Sequence, residues 1–142
     1  MAPSPKNQMA LDIWKKLSKA YDTVRKSHAK QIQKHKLTAP QFGVLEVLQK
    51  AGSMPLRRVN EELFVTGANI TCVVDNLEKE DLVERIFSKE DRRVILANLT
   101  PKGKDKIKKI FPEYLTTLKD ISDKLSENEQ KQLVKLLSKI VD

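Results

Sequence analysis

From Met9 onward the apolar residues fall at helical spacing. Trp14, Leu17, Tyr21, Val24 and His28 recur at steps of three and four, a single stripe along one helix face. No helix breaker follows before about Lys36, so the spacing predicts a first helix from Met9 to there. Residues 1–8 hold two prolines and no period, and read as a flexible leader. Thr38-Ala39-Pro40-Gln41 has the form of a capping box. Phe42, Val44, Leu45, Val47 and Leu48 then supply a buried face, and Ala51-Gly52 ends the helix. Pro55 opens a short third helix with Leu56, Val59 and Leu63 inward. After a tight connection at Phe64-Val65, Thr66 reads as the cap of a fourth helix running to about Glu80. Gly67 and Ala68 occupy its first turn, and Ile70, Val73, Val74 and Leu77 face the core.

The period then shortens to that of a strand. Val83–Phe87 and Val94–Leu99 are β-branched and partly alternating, with the charged segment Ser88–Arg93 between them, which predicts a β-hairpin. No Asn-Gly pair is present, so the loop is longer than a two-residue turn. Thr100-Pro101 opens a long helix with Ile107, Ile110, Phe111, Tyr114, Leu118, Ile121 and Leu125 on its stripe. Pro112 inside it should kink or interrupt it. Ser126 caps a last helix, with Glu129 at the return position and Leu133, Leu136, Leu137 and Ile140 along its face.

The predicted architecture is mostly α with a small β-hairpin. A winged helix-turn-helix lobe spans 38–103 within one domain spanning 9–142, flanked by terminal helices over 9–36 and 104–142. One small lobe cannot bury both terminal stripes and the last helix. Packing against a second copy is therefore expected, through Trp14, Leu17, Tyr21, Leu118, Leu133 and Leu137.

Composition narrows the function. Of 142 residues, 39% are hydrophobic, enough for a core, and 27 basic against 19 acidic side chains leave a net charge of +8. That surplus points to a polyanion, nucleic acid first and a membrane surface second. The longest apolar run, Val94–Ala97, is too short to span a bilayer, and the N-terminal stretch has no secretory pattern. One cysteine and two histidines exclude an internal disulfide and a zinc finger. A soluble cytoplasmic protein is expected, with no cofactor, no metal and no membrane partner. No Gly-rich phosphate loop, nucleophile elbow or carboxylate–histidine cluster suggests an enzyme. The charge is unevenly placed: residues 1–37 carry nine basic and two acidic side chains, whereas 66–80 carry one basic and three acidic. The surplus therefore lies in the terminal helices rather than on the fourth helix.

The candidate chemistry sits on the fourth helix and the hairpin tip. At ~1.5 Å per residue, Thr66 to Glu80 is about 22 Å long and fits a major groove. Its outward side begins with Thr66, Gly67, Ala68, Asn69, Thr71 and Cys72, small or polar residues that let the helix approach base edges. Asn offers a bidentate pattern to adenine, and Thr a hydroxyl and a methyl. At the tip, Lys89, Arg92 and Arg93 serve no core, and arginine suits a narrow minor groove. Asp91 beside two arginines repels phosphate but makes sense as the group that orients one of them.

The run Asp91-Arg92-Arg93-Val94-Ile95-Leu96-Ala97-Asn98-Leu99-Thr100-Pro101-Lys102-Gly103 resembles the signature of the MarR family of bacterial transcriptional regulators. That signature is an Asp-x-Arg wing, a hydrophobic strand and Leu-Thr-x-x-Gly. Ile70-Thr71, Val74-Asp75 and Leu77-Glu78-Lys79, followed by Leu82-Val83-Glu84-Arg85, are similar to its recognition helix and first wing strand. The resemblance implies a homodimeric DNA-binding repressor or activator reading a pseudo-palindromic site. It implies that Asp91 orients the wing, Arg93 enters the minor groove and Arg92 contacts phosphate. It also implies a small, often phenolic, effector bound between the dimerisation helices and the lobe. Two positions depart from the pattern: Asp81 stands where the family has glycine after the recognition helix, and Cys72 where it often has a basic residue.

Two other classes compete with a sequence-specific regulator, a nonspecific architectural DNA binder and a winged-helix protein-interaction module. The Asp91-Arg92-Arg93 tip favours DNA, since an interaction module has no need of an oriented arginine there. Cys72 reads as a small surface residue rather than a redox sensor. His28 and His35 make no metal site by themselves. Lys102, Lys104, Lys106, Lys108 and Lys109 oppose the dipole of the helix they open, which points to some further benefit.

Overall fold

Every described helix but the short one at Leu56–Glu62 starts where the chain offers a side-chain acceptor to the free amides of a first turn. The computed structural model describes residues 1–63 and 69–141. Helix α1 runs Pro5–Gln33. The Ser4 hydroxyl accepts from the Asn7 amide at 3.3 Å and its carbonyl from the Gln8 amide at 2.8 Å. Residues 5–8, expected in the leader, are therefore helical: a proline at the first helical position costs no hydrogen bond and presets the backbone. Helix α2 spans Ala39–Ala51 behind the complete Thr38/Gln41 capping box and ends at Gly52, whose φ of 80° suits glycine.

Met54 and Pro55 differ from expectation. Met54–Pro55 form a short strand, β1, rather than a helix start, and α3 covers Leu56–Glu62. Helix α4 covers Ile70–Lys79 with Asn69 as its cap. The expected tight connection at Phe64-Val65 and the expected cap and first turn, Thr66, Gly67 and Ala68, lie outside the described residues. Asn and Thr are both good caps, and α4 is capped at the later one. Strands β2, Val83–Phe87, and β3, Ile95–Leu99, complete an antiparallel sheet in the order β1-β3-β2, so the expected hairpin gains a third strand. Met54 pairs with Ala97 and Val83 with Leu99.

Helix α5, Pro101–Ser122, continues through Pro112 without interruption. Proline removes one donor, and the Lys108 carbonyl that loses it lies on an exposed stretch of helix where water can serve it. Helix α6, Glu127–Val141, starts at Ser126, whose hydroxyl accepts from the Glu129 amide at 3.2 Å while the Glu129 carboxylate accepts from the Ser126 amide at 2.8 Å.

The chain divides into two compact units. Gln31–Tyr114 holds the core, built from Ile32, Phe42, Leu45, Val59, Leu77, Val83, Ala97 and Ile107 among others, and is wider than the 38–103 lobe expected from sequence. The other unit, Met1–Lys30 with Leu115–Asp142, has no buried side chain among its described residues. Trp14 is 66% exposed, Tyr21, Leu133, Leu136 and Ile140 are exposed, and Leu17, Leu118 and Leu137 are half-buried.

Candidate nucleic-acid interface

The amphipathic pattern of α4 decides which residues it can present. Val74 and Leu77 are buried and Ile70 and Val73 partly so, leaving Asn69, Thr71, Cys72, Asp75, Asn76 and Lys79 exposed. Asn69 is committed to the cap: its Oδ1 accepts from the Cys72 amide at 3.3 Å. A bidentate contact to adenine needs that oxygen as well as the amide nitrogen. The cap uses one of the two lone pairs of that oxygen, so the second lone pair and Nδ2 stay available and the cap is compatible with such a contact. Cys72 is an exposed free thiol with Asn76 Nδ2 at 3.9 Å from its sulfur.

Two carboxylates on α4, Asp75 and Glu78, would repel a phosphate backbone. Arg85 of β2 pairs with both and cancels one of their two negative charges. Its Nη2 donates to Asp75 Oδ1 at 2.6 Å and its Nη1 to Glu78 Oε2 at 2.8 Å, with the Thr71 carbonyl a further 3.5 Å contact. Burial pulls the guanidinium pKa down, and the bonds to Asp75 and Glu78 outweigh it and hold the pKa above the ordinary value. Sequence reading took Arg85 as part of a strand motif and missed this clamp. The one available signal was its odd position in β2, which puts it on the same face as the buried Val83.

The junction after α4 is equally constrained. Asp81 has a φ of 58°, the left-handed conformation expected where the family carries glycine. Its carbonyl accepts from the Thr100 hydroxyl at 2.6 Å, and the same hydroxyl accepts from the Gly103 amide at 3.0 Å. A Cβ at Gly103 would lie 2.0 Å from the Leu82 carbonyl oxygen, so the Thr and Gly of Leu-Thr-x-x-Gly are packing requirements. Lys102 Nζ donates to the Glu80 carbonyl at 2.9 Å, a cation at the C-terminus of α4, which gives one of the five lysines its benefit.

At the wing tip the loop is organised by Ser88 and Asp91. The Ser88 amide donates to the Val94 carbonyl and the Val94 amide to the Asp91 carbonyl, both at 2.9 Å. Asp91 Oδ1 accepts from the backbone amide of Arg93 at 3.0 Å and from its Nε at 3.1 Å, and Oδ2 accepts from Nη2 at 3.2 Å. This fork fixes the guanidinium plane while its side chain stays 91% exposed. The Arg93 side chain, then its backbone amide, hold the Asp91 pKa below the ordinary value. Lys89 and Arg92 are exposed and make no ion pair among the described residues. The geometry thus brings the Asp91–Arg93 pair and α4 onto one lobe, with Lys89 and Arg92 free at its tip.

Elsewhere, Glu113 accepts from Gln31 at 3.1 Å and lies 2.9 Å from His35 Nε2. Burial lowers the His28 pKa. Among the described residues no group of three metal-ligating side chains occurs, and no helix is long and apolar enough to cross a membrane.

Known proteins resemble this chain in sequence and fold. The sequence model of the transcriptional regulator SarA/Rot family matches residues 27–110. The HTH-type transcriptional regulator MhqR of Bacillus subtilis is 33% identical over 133 residues, covering 94% of this chain and 92% of its own. Bordetella bronchiseptica BpsR, whose DNA binding is regulated by 6-hydroxynicotinic acid, matches with a TM-score of 0.79 at 28% identity over 89% of this chain and 90% of that one. E. coli MarR complexed with operator DNA has the same fold at 20% identity, with a TM-score of 0.84 over 99% of this chain and 100% of that one.

Proposed function

This chain belongs to the MarR family of winged helix-turn-helix, DNA-binding transcriptional regulators, and we propose that it acts as a homodimeric repressor of a pseudo-palindromic operator, released by a small organic effector. The observation that carries the operator reading is the forked Asp91–Arg93 pair on the lobe that also presents α4. In this reading Thr71 and Cys72, with Thr66, Gly67, Ala68 and Asn69 before them, face the major groove. Arg93 enters the adjacent minor groove, and Lys89 and Arg92 meet phosphates.

Dimerisation is supported by the unit that buries nothing. Trp14, Tyr21 and Leu133 are exposed apolar side chains on the terminal helices, a composition that solvent does not favour and a second copy would cover. Leu17, Leu118 and Leu137 join them in the proposed interface. Two-fold symmetry then sets half-sites about one DNA turn (~34 Å) apart. The effector reading is supported by BpsR, whose ligand is a hydroxylated aromatic acid. A cavity of about 560 Å³, lined by His35, Lys102, Asp105, Lys106, Lys109 and Ile110, has the capacity and the cations for a ring of that kind, phenolic ligands included. The reading places the protein in the cytoplasm with the chromosome.

Selection of genomic fragments by the purified protein tests this function. The expected result is enrichment of an inverted repeat with half-sites one turn apart. Equal recovery of random fragments would replace this reading with nonspecific architectural binding.

A further inference from the structure

The sheet face that looks toward α4 changes character along its length. The paired residues Val83 and Leu99 are buried, and Arg85, opposite Ala97, reaches across to α4. The next pair on that face, Phe87 and Ile95, should be polar if it met water alone. Instead Phe87 is 68% exposed and Ile95 43% exposed. Strand β2 doubles back along α4 after the Asp81 turn: the Leu82 amide bonds the Leu77 carbonyl, and Arg85 reaches Asp75 and the Thr71 carbonyl. Phe87 lies two residues, about 6.6 Å, further toward the wing tip on the same face. The apolar pair therefore sits between α4 and the Asp91–Arg93 fork.

A helix in a major groove and a wing in the adjacent minor groove are separated by one sugar–phosphate strand, which must pass over the surface between them. Its phosphates need cations, which Lys89 and Arg92 offer. Its deoxyriboses present C–H edges, which need an apolar surface. We propose that Phe87 and Ile95 form a non-electrostatic contact to the deoxyriboses of the strand dividing the two grooves. This rests on the wing and helix assignments above. The contact reads no base, so it adds affinity equally to every sequence, and it neutralises no phosphate, so it is insensitive to salt.

Fluorescence anisotropy over a salt series, on a duplex selected from random sequence by the wild-type protein and on a scrambled duplex, tests it. Phe87→Ala is expected to weaken both complexes roughly tenfold, the effect of losing most of a buried phenyl ring. The slope of log affinity against log salt should stay unchanged. Phe87→Leu should recover most of the loss and Ile95→Ser should reproduce part of it. Run in parallel, Arg92→Ala should reduce the slope by about 1, and Arg93→Ala should weaken the selected duplex more than the scrambled one. Unchanged affinity for Phe87→Ala, or a loss that comes with a reduced slope, overturns the proposal. So does a change in sedimentation of Phe87→Ala without a change in DNA binding, which would assign the patch to a protein partner. If Arg93→Ala has no effect while Phe87→Ala follows expectation, the minor-groove reading of Arg93 fails and the apolar contact stands.

Discussion

Removing Arg85 should damage the protein in two separable ways. The side chain is 23% exposed and holds two carboxylates on α4 at 2.6 and 2.8 Å, so it ties β2 to α4 while cancelling negative charge beside the proposed DNA-reading surface. Its partners are about half exposed, and pairs of that kind contribute up to ~1 kcal/mol each, so Arg85→Met should cost about 1 to 2 kcal/mol. Methionine keeps much of the aliphatic stem packed, so the loss is of charge and hydrogen bonds. For a lobe of this size that corresponds to a fall in Tm of about 5 to 15 °C. DNA affinity should fall as well, because Asp75 and Glu78 are unmasked, and the deficit should narrow as salt screens the repulsion. Adding Asp75→Asn and Glu78→Gln to Arg85→Met should recover the affinity without recovering the Tm. Thermal unfolding and anisotropy on the wild type, the single variant and the triple variant measure both effects. The reasoning is refuted if Arg85→Met matches wild type in both, or if the triple variant stays as weak as the single one, since the loss would then come from a displaced strand rather than from charge.

Gly103→Ala should destabilise by about 3 kcal/mol, because its Cβ would meet the Leu82 carbonyl at 2.0 Å and push apart backbone tied at both ends by Thr100. Urea unfolding checks it, and a change under 0.5 kcal/mol refutes the packing account of that glycine. The Asp91 carboxylate, lowered by Arg93, is expected to titrate below the ordinary value of 3.8. Its tie to the wing is then complete above 3.8 and lost as pH falls through the lowered value. A carboxyl NMR titration with its midpoint at or above 3.8 contradicts this. Trp14→Asp with Leu133→Asp should shift sedimentation toward monomer and weaken operator binding. A double variant that sediments as wild type removes these residues from the interface.

What the sequence discloses here follows the range of the interaction concerned. Caps and stripes are local, so the Thr38/Gln41 box, the Ser126/Glu129 box and the hairpin strands were legible to within a residue. Positive φ at Asp81 was legible too, because few residues other than asparagine or aspartate replace glycine there at modest cost. Strand β1 was not, since two residues carry no alternation and its partner lies some forty positions away. The cap of α4 failed for a different reason: Thr66 and Asn69 are both competent caps by residue type, and the described helix is capped at Asn69. Arg85 failed because its partners are on another element, ten and seven residues earlier.

That last case changes how the charge of the reading surface is judged. By formal count the segment 66–80 is acidic, which argues against contact with a polyanion. In the folded lobe Asp75 and Glu78 are spent on Arg85, and the Glu80 carbonyl at the end of α4 receives Lys102. Lys89 and Arg92, which make no ion pair among the described residues, stand at the wing, where Asp91 is itself spent on orienting Arg93. A tally of charges weights all of these groups equally, whereas DNA meets those left without partners. The acidic count on α4 and the ability of its lobe to bind a phosphate backbone are therefore compatible, and Arg85 is the residue that makes them so.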